Sequence, residues 1–472
     1  MKLLTKLIIV LLTFGTTSCS QGSNFDRYFM DKTLRFDYFH TGNAETEHFA
    51  PDQVVSDGIW AGSTTNLIDK LRLGKYFFEI QDLKSGKTVY SRGFASIYGE
   101  WETTPEAKKQ WGAHHESIRF PWPKNDIKIV FYKRDENYEF AKIWEHELKT
   151  DHWRTNKAIP AKSKITKDVH ISGDPKQKVD IVLLSEGYTQ AEMPKFHEDA
   201  AAFAKALFAT EPFASRKNDF NIRLVEVPSP ESGLAHPHQD IFRRSALSVT
   251  YGIFDSERYA LGFDNKKIRD AAANVPYDHT AIIMNDSIYG GGGIYNLYIT
   301  AAADNAFDSY LYVHEFGHHF ADLADEYYAS STAYEMGSSV QEPWELNVTT
   351  KTKREEIKWG DLIAESTPIP TPWDKEKFDK QSIETQKERN KLRAAKTPEH
   401  KMNNFFKAQQ EREEEHLGNI EHAGKTGLYE GAQYHSHGVY RSAPNCIMFT
   451  RTDHFCPACQ HAINKVIDQY AN

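Results

Sequence analysis

Residues 314–318 read His-Glu-Phe-Gly-His within a stretch whose apolar spacing predicts a helix. Positions four apart lie on one helix face, so His314 and His318 could hold one zinc ion between them. Glu315 would then lie beside the open coordination position, where a carboxylate can act as general base on a water molecule. This spacing therefore predicts a zinc-dependent hydrolase.

Zinc hydrolases need a third protein ligand in addition to the two histidines. We predict Asp325, with Glu326 and the more distant Glu335 and Glu342 as alternatives. On an unbroken helix Asp325 would lie about 16 Å along the axis from the first histidine. The helix must therefore end between about residues 319 and 323, and the chain must turn back.

Two different sequence patterns predict an α+β chain of two domains. From 25 to 150, short alternating apolar segments separated by turn residues predict an all-β sandwich. After a polar linker at 151–164, buried-strand patterns alternate with helical patterns through 165–472, which indicates an α/β layer with a largely parallel sheet. A Lys- and Glu-rich segment at about 351–425 predicts a charged helical insertion, which is either solvated or a lid over the active site.

The first residues predict export. Residues 1–18 have a charged start, a short apolar core and a small-residue end, which is the pattern of a signal peptide. The stretch resembles a bacterial lipoprotein signal, with Cys19 as the lipidated residue and 19–24 as a tether. We therefore expect a protein at the outer membrane or cell surface that contacts the membrane through its lipid anchor only. The formal charge of −9, without a basic block, argues against a nucleic-acid partner.

Three further cysteines, Cys446, Cys456 and Cys459, lie near the C-terminus. In an exported protein they predict one disulfide, whose pairing the sequence leaves open. A redox motif, or a zinc site completed by His454 or His461, is the alternative.

Several segments resemble the IgA-peptidase family of bacterial zinc metallopeptidases. They are HEFGH at 314–318 continued by LADEY at 323–327, VDIVLLSEGYT at 179–189, GLYEGA at 427–432, NCIM at 445–448 and FCPAC at 455–459. The resemblance spans about 165–472, with a family-type all-β domain before it. It implies a metzincin-like catalytic fold, with Met448 in a Met-turn beneath the zinc.

The same resemblance assigns an edge strand to the glycine-rich run before the active helix. Gly291, Gly292, Gly293 and Ile294 would then pair with an extended peptide substrate by strand addition. A plain flexible loop is the alternative. The oxyanion donor stays open among Tyr440, His435 and His437.

We therefore expect a zinc-dependent endopeptidase that hydrolyses extracellular proteins or peptides, with Glu315 as general base. Two other functions remain open on sequence alone. One is a surface binding lipoprotein with a vestigial metal site, and the other is a zinc amidase that acts on cell-wall amides.

Overall fold

The computed structural model describes residues 24–160, 162–328 and 340–471. Its N-terminal part is β-rich, as the alternating sequence predicts. The elements are α1 (Asn24–Tyr28), β1 (Phe29–Gly42), β2 (Glu47–Ser56), β3 (Tyr76–Asp82), β4 (Lys87–Phe94), α2 (Ile97–Trp101), β5 (Gly112–Pro123), β6 (Ile127–Arg134), β7 (Phe140–Leu148) and β8 (Thr155–Asn156). The strands form two four-stranded sheets, in the orders β5-β1-β2-β8 and β4-β3-β6-β7.

Aromatic side chains fill the space between these two sheets. Tyr38 of β1 and Phe131 of β6 lie with ring centroids 5.2 Å apart, and Phe36, Phe78 and Trp122 join the same buried cluster. Most of the aromatic residues of this domain are therefore core. The strands β1 and β2 and the short helix α2 are absent from the sequence prediction.

The second part is a mixed α/β domain. Its elements are β9 (Thr166–His170), β10 (Val179–Glu186), α3 (Met193–Leu207), β11 (Phe220–Val225), β12 (Val249–Tyr251), β13 (Ala260–Gly262), α4 (Asn265–Ala272), β14 (His279–Met284), β15 (Gly291–Ile294), β16 (Tyr298–Ala302), α5 (Asp308–Ala321), β17 (Val348–Thr349), α6 (Lys375–Ala394), α7 (Glu399–Gly418), β18 (Tyr429–Ala432), β19 (His435–Arg441) and α8 (Pro457–Tyr470).

A six-stranded sheet in the order β15-β16-β14-β10-β11-β9 organises this domain. The four inner strands are parallel, and β15 and β9 are antiparallel at the two edges. Every residue of β10 is buried, as expected for a strand covered on both faces. The helices α3, α5 and α8 pack on one face of the sheet and α4 on the other.

Two features differ from the sequence prediction. The glycine-rich run and the strand after it form a hairpin of β15 and β16, because Asn296 adopts a positive φ of 54° and reverses the chain. The charged insertion contains two helices, α6 and α7, whose residues Phe378, Met402 and Phe406 are buried in the main core. The insertion is thus packed on one side rather than solvated throughout.

Two arginines of the β-rich domain, Arg35 and Arg119, bond to the second domain. Arg35 of β1 pairs with Asp57 at 3.2 Å and with Asp270 of α4 at 2.8 Å. Arg119 of β5 pairs with Asp57 at 2.7 Å and donates to the Tyr277 carbonyl at 3.0 Å. The bonds to Asp270 and to the Tyr277 carbonyl join the two domains, and Asp57, which belongs to the β-rich domain, holds both arginines in place. Within the described ranges, no helix is long and apolar enough to cross a membrane.

Candidate metal centre and active site

Helix α5 carries both histidines of the HEFGH segment. Its opposite face is apolar: Phe316 packs on Phe213 with ring centroids 5.6 Å apart, and Phe320 packs on the same ring at 5.9 Å. Gly317 is closely packed, since an added Cβ would lie 3.2 Å from Met448 Sδ and 3.3 Å from Leu323 Cδ1. Met448 is fully buried beneath this helix turn.

The helix ends at Ala321, inside the range that a third ligand at position 325 requires. Asp322 adopts left-handed angles, φ 50° and ψ 40°. Its Oδ2 accepts hydrogen bonds from the Gly74 N–H at 2.6 Å and the Trp344 indole at 2.8 Å. Ala321 is a poor turn residue, so these tertiary contacts, one of them from the N-terminal domain, hold the reversal.

The reversal brings His314, His318 and Asp325 together. The two Nε2 atoms are 3.2 Å apart, and Asp325 Oδ1 lies 3.4 Å from His314 Nε2 and 3.3 Å from His318 Nε2. Ligands about 2.0–2.1 Å from a tetrahedral zinc are about 3.3–3.4 Å from one another. Asp325 Oδ1 is buried without a hydrogen-bond partner within the described residues. The three atoms therefore fit a zinc ion.

Backbone carbonyls fix both imidazoles. The Nδ1 atom of His314 lies 2.9 Å from the Ile447 carbonyl oxygen, and that of His318 lies 2.6 Å from the Leu323 oxygen. A carbonyl can only accept, so each Nδ1 carries the proton and each Nε2 lone pair faces the centre. Burial lowers the pKa of His318, but the Asp325 and Glu315 carboxylates and the Leu323 carbonyl outweigh it and raise that pKa to about 9. The site thus favours a cation.

Tyr434 holds the other oxygen of Asp325. Its hydroxyl donates to Asp325 Oδ2. It lies in the two-residue turn between β18 and β19, where Gln433 and Tyr434 both have positive φ, 49° and 63°. The Gln433 and Tyr434 N–H groups donate to the carbonyls of Asp325 at 2.9 Å and of Tyr327 at 3.0 Å. The role of Tyr434 could not be predicted from the sequence, because Gln433 and Tyr434 lack the Asn-Gly signature of such a turn.

Glu315 is 8% exposed and lines two neighbouring spaces together with His314. One is a cleft of about 480 Å³, whose wall includes Lys75 and Tyr138 of the N-terminal domain. The other is an inner cavity of about 100 Å³ between α5 and the helices α6 and α7. The insertion thus forms one wall of the candidate site.

Three arginines, Arg258, Arg389 and Arg451, line the inner cavity. The pKa of Arg389 is lowered to about 10, first by burial and then by the positive charges of the other two. The acidic residues of this lining are Glu315 and Glu413, and burial raises the pKa of Glu413. The cavity is therefore electropositive.

Three positions of the predicted edge strand are tightly packed. A Cβ on Gly293 would lie 2.3 Å from the Glu315 carbonyl oxygen, and one on Gly292 would lie 2.5 Å from the Tyr259 ring. The Ile294 carbonyl accepts from His319 Nδ1 at 2.8 Å. These glycines are needed for close approach, so a plain flexible loop is excluded.

The edge of β15 that faces away from β16 is partly occupied by hydrogen bonds within the protein. The Gly291 N–H donates to the Arg258 carbonyl at 3.1 Å. Alternation along the strand gives Gly293 the same orientation, and both residues line the cleft. The position available to a peptide backbone is therefore Gly293.

The remaining candidates lie elsewhere. Glu342 accepts from Thr349 and Thr350 and pairs with Lys358 at 3.0 Å. Glu326 faces the three C-terminal cysteines. Glu335 and Cys19 fall outside the described residues. The three oxyanion candidates belong to β19, where Tyr440 and His435 are half-buried and His437 is exposed, and none lines the cleft or the inner cavity.

The predicted disulfide is wrong. Cys446, Cys456 and Cys459 are buried free thiols, and the Cys446 and Cys459 sulfur atoms are 3.8 Å apart. Their sulfur atoms and the Glu326 carboxylate form one group, in which Cys456 and Cys459 contact Glu326 Oε1 at 3.3 and 3.2 Å. His454 and His461 are not part of this group.

A helix-borne metal centre at the floor of a cleft is the arrangement of a metallohydrolase. Comparison with protein families gives the more particular identity. The model of the IgA Peptidase M64 family matches residues 168–467, and the model of the Peptidase M64 N-terminus matches residues 24–145. The chain therefore belongs to the IgA peptidase M64 family and is a metallopeptidase. No curated protein matches it.

Proposed function

We propose that this protein is a zinc-dependent endopeptidase of extracellular proteins, in which His314, His318 and Asp325 hold the metal and Glu315 is the general base. The observation that supports it most is the mutual spacing of 3.2–3.4 Å among the three ligand atoms. The histidine helix, the chain reversal at Asp322 and the buried Met448 also support the metzincin-like fold that the family resemblance implies.

Bound zinc would lower the pKa of water toward about 7 and polarise the scissile carbonyl. Glu315 adjoins His314 at the junction of the cleft and the inner cavity. Its carboxylate takes a proton from the attacking water and returns it to the leaving amine. Tyr434, bonded to Asp325, positions that ligand.

The spaces on the two sides of Glu315 suit a substrate that extends past the cleaved bond in both directions. Gly293 would pair with the peptide backbone, in line with the strand addition expected from the sequence. The inner cavity would take one side chain. Its three arginines favour a carboxylate there, either an acidic side chain or a chain terminus, because guanidinium groups bind carboxylates with charge-assisted hydrogen bonds.

The expected signal peptide supports extracellular substrates. Residues 1–18 and Cys19 have the pattern of a lipoprotein signal, which would tether the enzyme at the cell surface. The membrane is then a place of attachment, and the substrate is a protein or peptide.

Glu315→Gln tests the assignment. The variant should retain zinc and lose about 10²- to 10⁴-fold in turnover, because the general base is removed while the ligands are untouched. Glu342→Gln is the matched control, since that glutamate lies outside the centre and should leave turnover unchanged. Wild-type activity in Glu315→Gln with zinc bound would refute the role of Glu315.

The substrate class is tested separately. The purified protein would be incubated with casein, with mucin or immunoglobulin, and with peptidoglycan. Cleavage of the proteins supports the endopeptidase, whereas release of products from peptidoglycan alone would favour the amidase. Chelation should abolish the activity and stoichiometric zinc should restore it. Binding of the proteins without cleavage would favour a surface binding lipoprotein.

A further inference from the structure

A second group of metal-ligand side chains lies behind the candidate active site. It consists of Glu326, Cys446, Cys456 and Cys459, whose ligand atoms all lie within 4.8 Å of one another. All four residues are at most 1% exposed. A carboxylate and three thiols so deeply buried need a partner for their polar atoms.

The distances among these atoms fit a tetrahedral zinc. Cys446 Sγ and Cys459 Sγ are 3.8 Å apart, and sulfur ligands about 2.3 Å from zinc would be about 3.8 Å apart. Glu326 Oε1 lies 3.3 Å from Cys456 Sγ and 3.2 Å from Cys459 Sγ. An oxygen at about 2.0–2.2 Å from the same ion would be about 3.5 Å from each sulfur.

The surroundings suit thiolates. The Met448 and Cys456 N–H groups point at Cys446 Sγ at 3.4 and 3.2 Å, and the Cys459 N–H points at Cys456 Sγ at 3.4 Å. Cys456 caps the N-terminus of α8, where the helix dipole favours negative charge. The guanidinium of buried Arg441 adds a positive charge that interacts with Glu326.

An unpartnered atom points to a ligand independently. Glu326 Oε2 is buried and has no hydrogen-bond partner within the described residues. Asn347 Nδ2 donates to Oε1 at 3.1 Å and thiol S–H groups could donate to it as well, but neither compensates the negative charge of a carboxylate this deeply buried. A cation bound to this carboxylate would compensate the charge that burial otherwise penalises.

We propose that Glu326, Cys446, Cys456 and Cys459 bind a second, structural zinc ion. Three thiolates select a thiophilic metal over magnesium or calcium, and a closed four-ligand set leaves no position for substrate. The ion would tie α8 and the turn at 446–448 to the segment that follows α5. This site stands independently of the peptidase assignment, because none of its ligands faces the cleft.

Metal content of the full-length protein tests this proposal. Wild type should contain two zinc ions per chain. His318→Ala should retain one, whereas Cys459→Ser and Glu326→Gln should lose the structural ion. One zinc in wild type together with none in His318→Ala would overturn the proposal.

Cobalt substitution gives a readout that does not depend on activity or on the folding of the cysteine variants. Cobalt-loaded His318→Ala should show an intense thiolate-to-cobalt charge-transfer band, because its remaining site contains three sulfur ligands. Absence of the band in that variant would refute the site. Mass spectrometry of the peptides that contain the three cysteines should find no disulfide, and a disulfide in the purified protein would equally refute it.

Discussion

Tyr434→Phe removes one hydroxyl from behind the candidate zinc site and leaves its three ligands in place. That hydroxyl donates to Asp325 Oδ2, while Oδ1 faces the histidines. A hydrogen bond to a charged group contributes about 1.5–3 kcal/mol. Because 1.4 kcal/mol is a factor of ten, zinc affinity should fall by about 10- to 100-fold, which is the usual effect of losing a group that orients a metal ligand.

The matched control is Tyr440→Phe. Tyr440 is half-buried in the adjoining strand β19, and its hydroxyl has no hydrogen-bond partner within the described part of the chain. Both variants would be titrated against a zinc-binding fluorescent chelator at one pH. Tyr440→Phe should match wild type. If Tyr434→Phe retains wild-type affinity, or if both variants weaken equally, Tyr434 does not position Asp325.

Three further outcomes are expected. Gly293→Ala should lower the free energy of unfolding in urea by about 3 kcal/mol, because its Cβ would meet the backbone oxygen of Glu315 at 2.3 Å. The control Gly418→Ala, which has open space around it, should not lower it. Equal stabilities of the two variants would contradict the packing of β15. Arg389→Gln should reduce by about tenfold the preference in kcat/KM for peptides with Glu over Gln beside the cleaved bond. Comparison of peptides with free and amidated C-termini identifies which carboxylate binds. An unchanged preference would exclude the inner cavity as the binding site of that carboxylate. Cys19→Ala should move the protein from the membrane fraction to the soluble fraction, and equal membrane retention would point to another anchor.

The sequence was most informative where periodicity is strong and the chemistry is local. The buried strands β10 and β14 are visible as apolar runs, and the two histidines follow from spacing on one helix. Strands β1 and β2 could not be predicted because they mix charged and apolar residues. Arg35 and Asp37, for example, are buried within β1 as an ion pair at 2.9 Å. A strand that contains such paired charges has the same composition as a solvent-exposed segment.

The parts of the site that could not be predicted depend on contacts distant in sequence. Tyr434 reaches Asp325 across 109 residues, through a turn that its own sequence does not favour. Glu326 meets Cys459 across 133 residues. From the sequence alone, Glu326 is an alternative to Asp325 as ligand of the same metal, and the cysteines predict a disulfide. Only the fold shows that the two carboxylates face different groups.

The neighbouring positions of Asp325 and Glu326 connect the two candidate metal centres. Asp325 Oδ1 faces the two histidines of α5, whereas Glu326 Oε1 faces two of the three cysteines, so these consecutive side chains point to different groups. Its Glu326 N–H also donates to the Met448 carbonyl at 2.8 Å, and the preceding carbonyl, that of Ile447, orients His314. A structural ion at Glu326 would therefore restrict both Asp325 and the backbone that orients His314. Loss of that ion should weaken zinc binding at the active site without altering any of its ligands, which is the reason to measure both metals in each variant.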